Sequence, residues 1–93
     1  MDKIETYIGF SIRKGAAVFG VDNICVYRKK MYIVAVTDTL APKSKANVLR
    51  FAEERGISVV TVRDYDTLVK HNCKAVGICD KSLADAIAAN VNK

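Results

Sequence analysis

The chain has 93 residues, of which 51% are hydrophobic and 27% are charged, and its formal net charge is +5. This apolar fraction excludes a disordered chain and is sufficient for the core of one domain, which we place over residues 1–93. No apolar run reaches the length of about 18 residues that a membrane span needs. The first residues, from Met1 to Glu5, lack the layout of a signal peptide, so we expect a cytoplasmic protein. The surplus of cations favours a polyanionic partner.

The first predicted helix carries apolar residues on one face, at Ile4, Tyr7, Ile8 and Ile12. Gly15 ends this helix at a position where glycine is favoured. A brief strand is predicted over residues 16–19. Residues 22–29 then predict a short second helix, with Asp22 or Asn23 at its start.

Residues 32–37 are continuously apolar and rich in β-branched side chains, which predicts a buried central strand. A loop begins at Asp38, and Pro42 is well suited to the first turn of the next helix. Gly56 ends that helix. Its inward side chains are predicted to be Val48, Leu49, Phe51 and Ala52. Residues 57–62 predict a second strong strand.

The last third of the chain repeats this alternation. Asp64 is placed to cap a short helix. The apolar residues of that helix are Tyr65, Leu68 and Val69. Residues 75–79 predict another strand, and Asp80 or Ser82 begins the last helix. The apolar stripe of the last helix consists of Leu83, Ala86, Ile87 and Val91.

Strands that alternate with helices predict an α/β fold, here a three-layer α/β/α sandwich with a mixed central sheet of about four strands. Four aromatic side chains are expected in its core, at Tyr7, Phe10, Phe19 and Phe51. Because few aromatic side chains are then left on the surface, a stacking platform for single-stranded nucleic acid is disfavoured. Recognition of a folded RNA by its shape fits this composition better.

The three cysteines, Cys25, Cys73 and Cys79, form no C-x-x-C pair. Their odd number and spacing argue against a disulfide framework and against a zinc site. The single histidine, His71, is followed by Asn72, and we interpret this stretch as a polar loop rather than a metal or catalytic site. We therefore expect no metal and no cofactor.

Enzyme motifs are also missing from the sequence. There is no G-x-x-x-x-G-K-[ST] loop, no G-x-G-x-x-G fingerprint and no G-x-S-x-G elbow. Asp38 follows a predicted central strand, where open α/β sheets often place functional groups, but aspartate is also common where a strand enters a loop. We do not expect an enzyme, and a reaction centred on Asp38, within a pronounced pocket, is the weakest of the alternatives.

The most informative stretch begins at Gly20 and leads into the predicted helix over residues 22–29. A helix start carries unpaired N–H groups and a partial positive charge, which favour an anion. Cations lie in three clusters, at Arg13-Lys14, at Arg28-Lys29-Lys30 and at Lys43 with Lys45. We expect the Gly20 helix start and the Lys43 helix start to be neighbours at one edge of the sheet. An ordinary surface helix with a solvated basic end is the alternative interpretation.

Several stretches, taken in order, resemble one family over nearly the whole chain. They are residues 8–15 with 17–20, residues 33–38 with 42–45, residues 56–60 and residues 80–84. This order resembles the kink-turn RNA-binding family of small ribosomal proteins, the L-seven-Ae and L-thirty-e type, in a small bacterial-like form. The resemblance implies a monomeric α/β/α protein that binds structured RNA of the kink-turn type, with the ribosome as an implied partner and no membrane.

The second helix of that family opens with a glycine, a variable residue, an asparagine, a glutamate and a later lysine, which read the sheared G·A pairs of a kink-turn. Here Gly20 keeps the glycine, whereas Asp22 stands in place of the asparagine and Asn23 in place of the glutamate. The lysine position falls on Val26. Asparagine offers a donor and an acceptor to a base, but an ionised aspartate only accepts.

The sequence therefore predicts a small protein that binds structured RNA. The residues expected to contact that RNA are Gly20, Asp22, Asn23, Arg28, Lys29, Lys30, Asp38, Lys43 and Lys45. The first three would approach the bases, and the cations would contact or attract phosphates. A protein-interaction module on the same scaffold is the main alternative, and Asp22 and Val26 favour it.

Overall fold

The computed structural model describes residues 3–91, which form five helices and four strands. In chain order the elements are α1 (Lys3–Arg13), β1 (Ala17–Phe19), α2 (Val21–Cys25), β2 (Ile33–Thr37), α3 (Pro42–Arg55), β3 (Ser58–Val62), α4 (Asp66–Lys70), β4 (Ala75–Ile78) and α5 (Lys81–Val91). The strands form a single sheet in the order β1-β4-β2-β3. Strand β4 is antiparallel to β1 and β2, whereas β2 and β3 are parallel. The predicted α/β sandwich with a mixed sheet of four strands is confirmed.

Helices cover both faces of this sheet. On one face, Ile8 of α1, Leu68 of α4 and Ile87 of α5 pack with alternate side chains of β2 and β4. On the other face, Ile24 of α2 and Val48 of α3 pack with the intervening strand residues. Every residue of β2 and β4 is buried, which explains why both strands are almost entirely apolar.

The antiparallel position of β4 gives the sheet two distinct ends. Because β4 separates β1 from β2 and opposes both, β1, β2 and β3 all run in one direction. We call the end where these three strands finish the carboxyl end, and the end where they begin the amino end. At the carboxyl end, the N–H of Gly20 donates to the carbonyl of Ala75 (2.9 Å), and the N–H of Thr37 donates to that of Lys74 (2.9 Å).

The second helix is shorter than the sequence predicts. The structure ends α2 at Cys25, whereas the sequence pattern predicts a helix over residues 22–29. After α2 ends, the guanidinium of Arg55 donates to the carbonyls of Tyr27 and Lys29, at 2.7 and 3.0 Å. This long-range contact holds the segment after Val26 in an open form that leads to β2.

Two side chains predicted to be buried, Phe10 and Leu49, are instead exposed, and Val69 of α4 is exposed as well. Phe10 lies well away from the face of α1 that Ile8 and Ser11 bury, and the guanidinium of Arg13 lies 4.8 Å from its ring centroid. Leu49 is likewise turned away from the face of α3 that is buried. Helix α4 has only five residues, so Leu68 alone reaches the core fully.

The predicted helix caps give mixed results. Asp80 is confirmed as the cap of α5, since its Oδ1 accepts a hydrogen bond from the N–H of Leu83 (3.0 Å). Asp64 does not cap α4, because that helix begins one residue later, after Tyr65. The Asp64 carboxylate instead accepts a hydrogen bond from the hydroxyl of Thr39 (3.4 Å).

Within residues 3–91, no helix has the length and apolar character to cross a membrane.

Two glycines should respond in opposite ways to the same substitution. A Cβ at Gly77, on the buried strand β4, would overlap the end of the Met31 side chain, which is itself buried. Gly9 lies inside α1 with open space around its Cα. We expect Gly77→Ala to lower the free energy of unfolding by about 1–3 kcal/mol through overpacking. Gly9→Ala should raise it by about 0.5–1 kcal/mol through helix propensity. Urea unfolding of the two variants tests this, and a stabilising Gly77→Ala would contradict the packing described.

Asp80 should make folding stability depend on pH. The hydrogen bond from the Lys14 ammonium, followed by that from the Leu83 N–H, holds the pKa of the Asp80 carboxyl below its ordinary value. A depressed carboxyl pKa contributes stability above the pKa of the unfolded chain, near 4, and this contribution is lost as the pH falls through the folded value. Asp80→Asn should therefore lose less stability than the parent between about pH 6 and pH 2.

Asp85→Asn is the matched control, because Asp85 pairs with Lys81 at 3.8 Å with both side chains largely exposed. It should follow the parent across the same pH range in thermal unfolding experiments. If Asp80→Asn also follows the parent, the Lys14–Asp80 pair does not contribute as described.

Candidate nucleic-acid interface

The carboxyl end of the sheet brings together two of the segments that the sequence singled out. Gly20, which precedes α2, is bonded to the first residue of β4, and Thr37, which precedes the loop before α3, is bonded to Lys74. The α2 start and the loop from Asp38 to Ala41 therefore flank the entry of β4, about two strand spacings or 10 Å apart. The sequence-based expectation that these helix starts share one edge of the sheet agrees with these hydrogen bonds.

Three exposed lysines lie at or beside this end. Lys43 and Lys45 lie in the first turn of α3, which contains no acidic residue. Lys74 precedes β4, and its ammonium donates to the carbonyl of Thr39 (3.4 Å). Across residues 3–91, the cations within ion-pairing distance of a carboxylate are Lys14 and Lys81. No carboxylate of the described residues therefore forms an ion pair with Lys43, Lys45 or Lys74. The partial positive charge of the α3 start adds to theirs.

Acidic side chains are interspersed with these cations. Asp22, Asp38 and Asp64 are exposed at the same end. The Thr39 hydroxyl donates to Asp64 and also bonds the hydroxyl of Thr37 (3.0 Å), which orders the loop. The carboxyl end is therefore a mixed surface, on which a polyanion must follow a defined path between carboxylates.

Asn23 does not point toward the lysines of α3. Its amide nitrogen donates to the carbonyl of Phe19, at 2.9 Å, so the side chain turns back along β1. Asp22 lies on another side of α2, in a groove of about 310 Å³ against Asn47 and Arg50 of α3. The two side chains expected to approach bases are thus separated. In this arrangement Asn23 has one amide hydrogen committed to the backbone and faces β1.

The groove between α2 and α3 also contains Cys25. Burial of its side chain, followed by the charge of Asp22, raises the pKa of the Cys25 thiol. The thiol is therefore neutral at pH 7 and is not activated as a nucleophile. Its sulfur lies 3.9 Å from the carbonyl oxygen of Asn47.

Arg28, Lys29 and Lys30 lie toward the other end of the sheet. They precede β2, and the chain reaches the amino end at Tyr32, whose N–H donates to the carbonyl of Ile78 (2.9 Å). The five residues of β2 span about 17 Å, so this cluster is not adjacent to the lysines of α3. The structure therefore separates the predicted phosphate-binding cations into two groups.

Sequence reasoning misses two residues that shape these surfaces. Lys74 follows a polar loop, and only the antiparallel entry of β4 places it beside the loop after β2. Arg55 is exposed on α3, and its guanidinium holds the segment that carries the basic cluster and lies 5.2 Å from the ring centroid of Phe51. Neither contact has a signal in the sequence, because both depend on tertiary topology.

Comparison with known proteins supports the fold alone. No protein-family model and no curated protein matches the chain. The chain is similar to a solved structure of a protein of unknown function from Bacillus halodurans, with a TM-score of 0.88 and 16% sequence identity. That alignment covers 100% of both chains.

Proposed function

We propose that this protein binds a folded RNA through the carboxyl end of its sheet. The observation that carries the proposal is the convergence there of the α2 start, the loop after β2 and the cations Lys43, Lys45 and Lys74. None of these lysines is neutralised by a carboxylate within the described part of the chain. Contacts from lysines and from backbone N–H groups to phosphates would fix the register of the RNA.

Two further observations support RNA as the polyanion. The net charge of +5 attracts a polyanion over long distances. The sequence also resembles the kink-turn RNA-binding family, so a kink-turn is the first RNA to test. The same proposal includes a cytoplasmic location and an association with ribosomal RNA.

The mode of RNA recognition that we propose does not depend on the reading of bases by Asn23. One hydrogen of the Asn23 amide is committed to the Phe19 carbonyl, and the carboxylate of Asp22 repels phosphates. Gly20 has no side chain, and space around its Cα leaves room for a backbone to approach closely. We therefore propose recognition of RNA shape and phosphate positions, with little reading of base edges.

Two double variants of equal charge change test this surface. Lys43→Ala/Lys45→Ala removes two cations at the carboxyl end, and Lys29→Ala/Lys30→Ala removes two toward the amino end. If each α3 lysine contacts one phosphate, the first variant should reduce the slope of log affinity against log salt by about 1.4–1.8. The second should change that slope much less. Fluorescence anisotropy with a labelled kink-turn RNA, between about 50 and 200 mM salt, measures both slopes.

A straight RNA duplex of equal length is the control ligand. Asp22→Asn should tighten binding to the kink-turn RNA, because the substitution removes a charge that repels phosphates. Micromolar or weaker binding that is no better than binding to the straight duplex would contradict the proposal. An equal decrease of the salt slope in the two double variants would show that the overall charge attracts RNA, and that no particular binding surface exists at the carboxyl end.

A further inference from the structure

Strand β1 leaves one side of the sheet without a partner strand. In its antiparallel ladder with β4, Val18 pairs with Gly77, and the N–H of Gly20 donates to Ala75. Backbone groups alternate in direction along such a strand, so those of Ala17 and Phe19 point away from β4. The Phe19 carbonyl accepts the Asn23 amide. The outer side of β1 thus presents the N–H groups of Ala17 and Phe19 and the carbonyl of Ala17.

A groove of about 570 Å³ runs beside this strand. One wall is β1, and the other is formed by Asn23 of α2 and the segment from Val26 to Lys29. Val26 is 72% exposed although it is apolar. An exposed apolar side chain in a concave surface, next to unpaired strand groups, is typical of a site where another chain binds as an added strand.

The charge of the groove defines the chemistry of its occupant. Arg28 and Lys29 line the groove, and no acidic residue does. Neither cation lies within ion-pairing distance of a carboxylate of residues 3–91. A partner with acidic side chains would supply the missing charges. A second copy of this chain would bring a groove with the same two cations and no carboxylate, so it is a poorer match.

We propose that β1 and this groove bind an extended, acidic peptide segment of another protein. The segment adds a strand to β1, one of its apolar side chains covers Val26, and its carboxylates lie beside Arg28 and Lys29. Backbone hydrogen bonds would supply affinity, and the alternate side chains would supply specificity. The cations of this groove, Arg28 and Lys29, differ from the lysines of the RNA surface, so variants of the two sets test the two proposals separately.

A displayed library of random ten-residue peptides tests the groove directly. The immobilised protein should enrich peptides that alternate β-branched and acidic residues. Val26→Glu and Arg28→Glu/Lys29→Glu should each abolish this enrichment. Val69→Glu is the matched control, because Val69 is 56% exposed on α4, outside this groove. Since Val26 and Val69 are both exposed, circular dichroism should show native folding in both single variants.

One enriched peptide should then be synthesised and measured by calorimetry. We expect at least tenfold weaker binding to Val26→Glu, which corresponds to about 1.4 kcal/mol. N-methylation at the peptide positions that face β1 should abolish binding, and methylation at the intervening positions should be tolerated. The same affinity for all protein variants, the absence of any enriched motif, or tolerance of both methylation patterns would overturn the proposal.

The other possible occupants give distinct results in the same experiments. Displacement of the peptide by a kink-turn RNA that also requires Val26 would assign the groove to RNA. A dimer in sedimentation experiments that Val26→Glu dissociates would assign it to a second copy of the chain. Either outcome would overturn the proposal, while loss of RNA binding in the Lys43→Ala/Lys45→Ala variant would leave it intact.

Discussion

The antiparallel insertion of β4 between β1 and β2 is the constraint on which the other features of this structure depend. Both β2 and β4 are buried on two faces, so the sheet needs helices on each side. The same insertion makes β1, β2 and β3 run in one direction. The loops that follow these three strands therefore lie at one end of the sheet, and the segments that precede them lie at the other end. Both candidate surfaces are consequences of this division.

The division separates the charges of a basic protein into groups with different surroundings. At the carboxyl end, Lys43, Lys45 and Lys74 lie among exposed carboxylates and hydrogen-bonded loops, a setting that restricts the path of a polyanion. Near β1, Arg28 and Lys29 border an apolar groove without acids. The first setting suits a folded RNA with fixed phosphate positions, and the second suits an extended acidic chain.

Much of the fold follows from local sequence, but the orientation of the candidate site residues does not. The buried strands, the end of α3 at Gly56 and the cap at Asp80 all have local causes, namely apolar runs, a left-handed glycine and a carboxylate at a helix start. The path of the chain after α2 is held by Arg55, which lies far along the chain. The direction of Asn23 depends on the carbonyl that the end of β1 presents to it. The Arg55 contacts are long-range, and the Asn23 bond spans the junction of a strand and a helix, so the sequence indicates the candidate residues but not their partners.

The central claim is that RNA contacts this protein at the carboxyl end of the sheet, and amide chemical-shift mapping tests it most directly. A kink-turn RNA should be titrated into isotopically labelled protein, and the shift of each backbone amide should be followed. The account predicts that the largest shifts occur at Gly20, at the amides of residues 38–41 and 43–45, and at Lys74, with small shifts at residues 28–30. Shifts confined to residues 28–30 and Arg55, or no saturable shifts with any structured RNA, would contradict it.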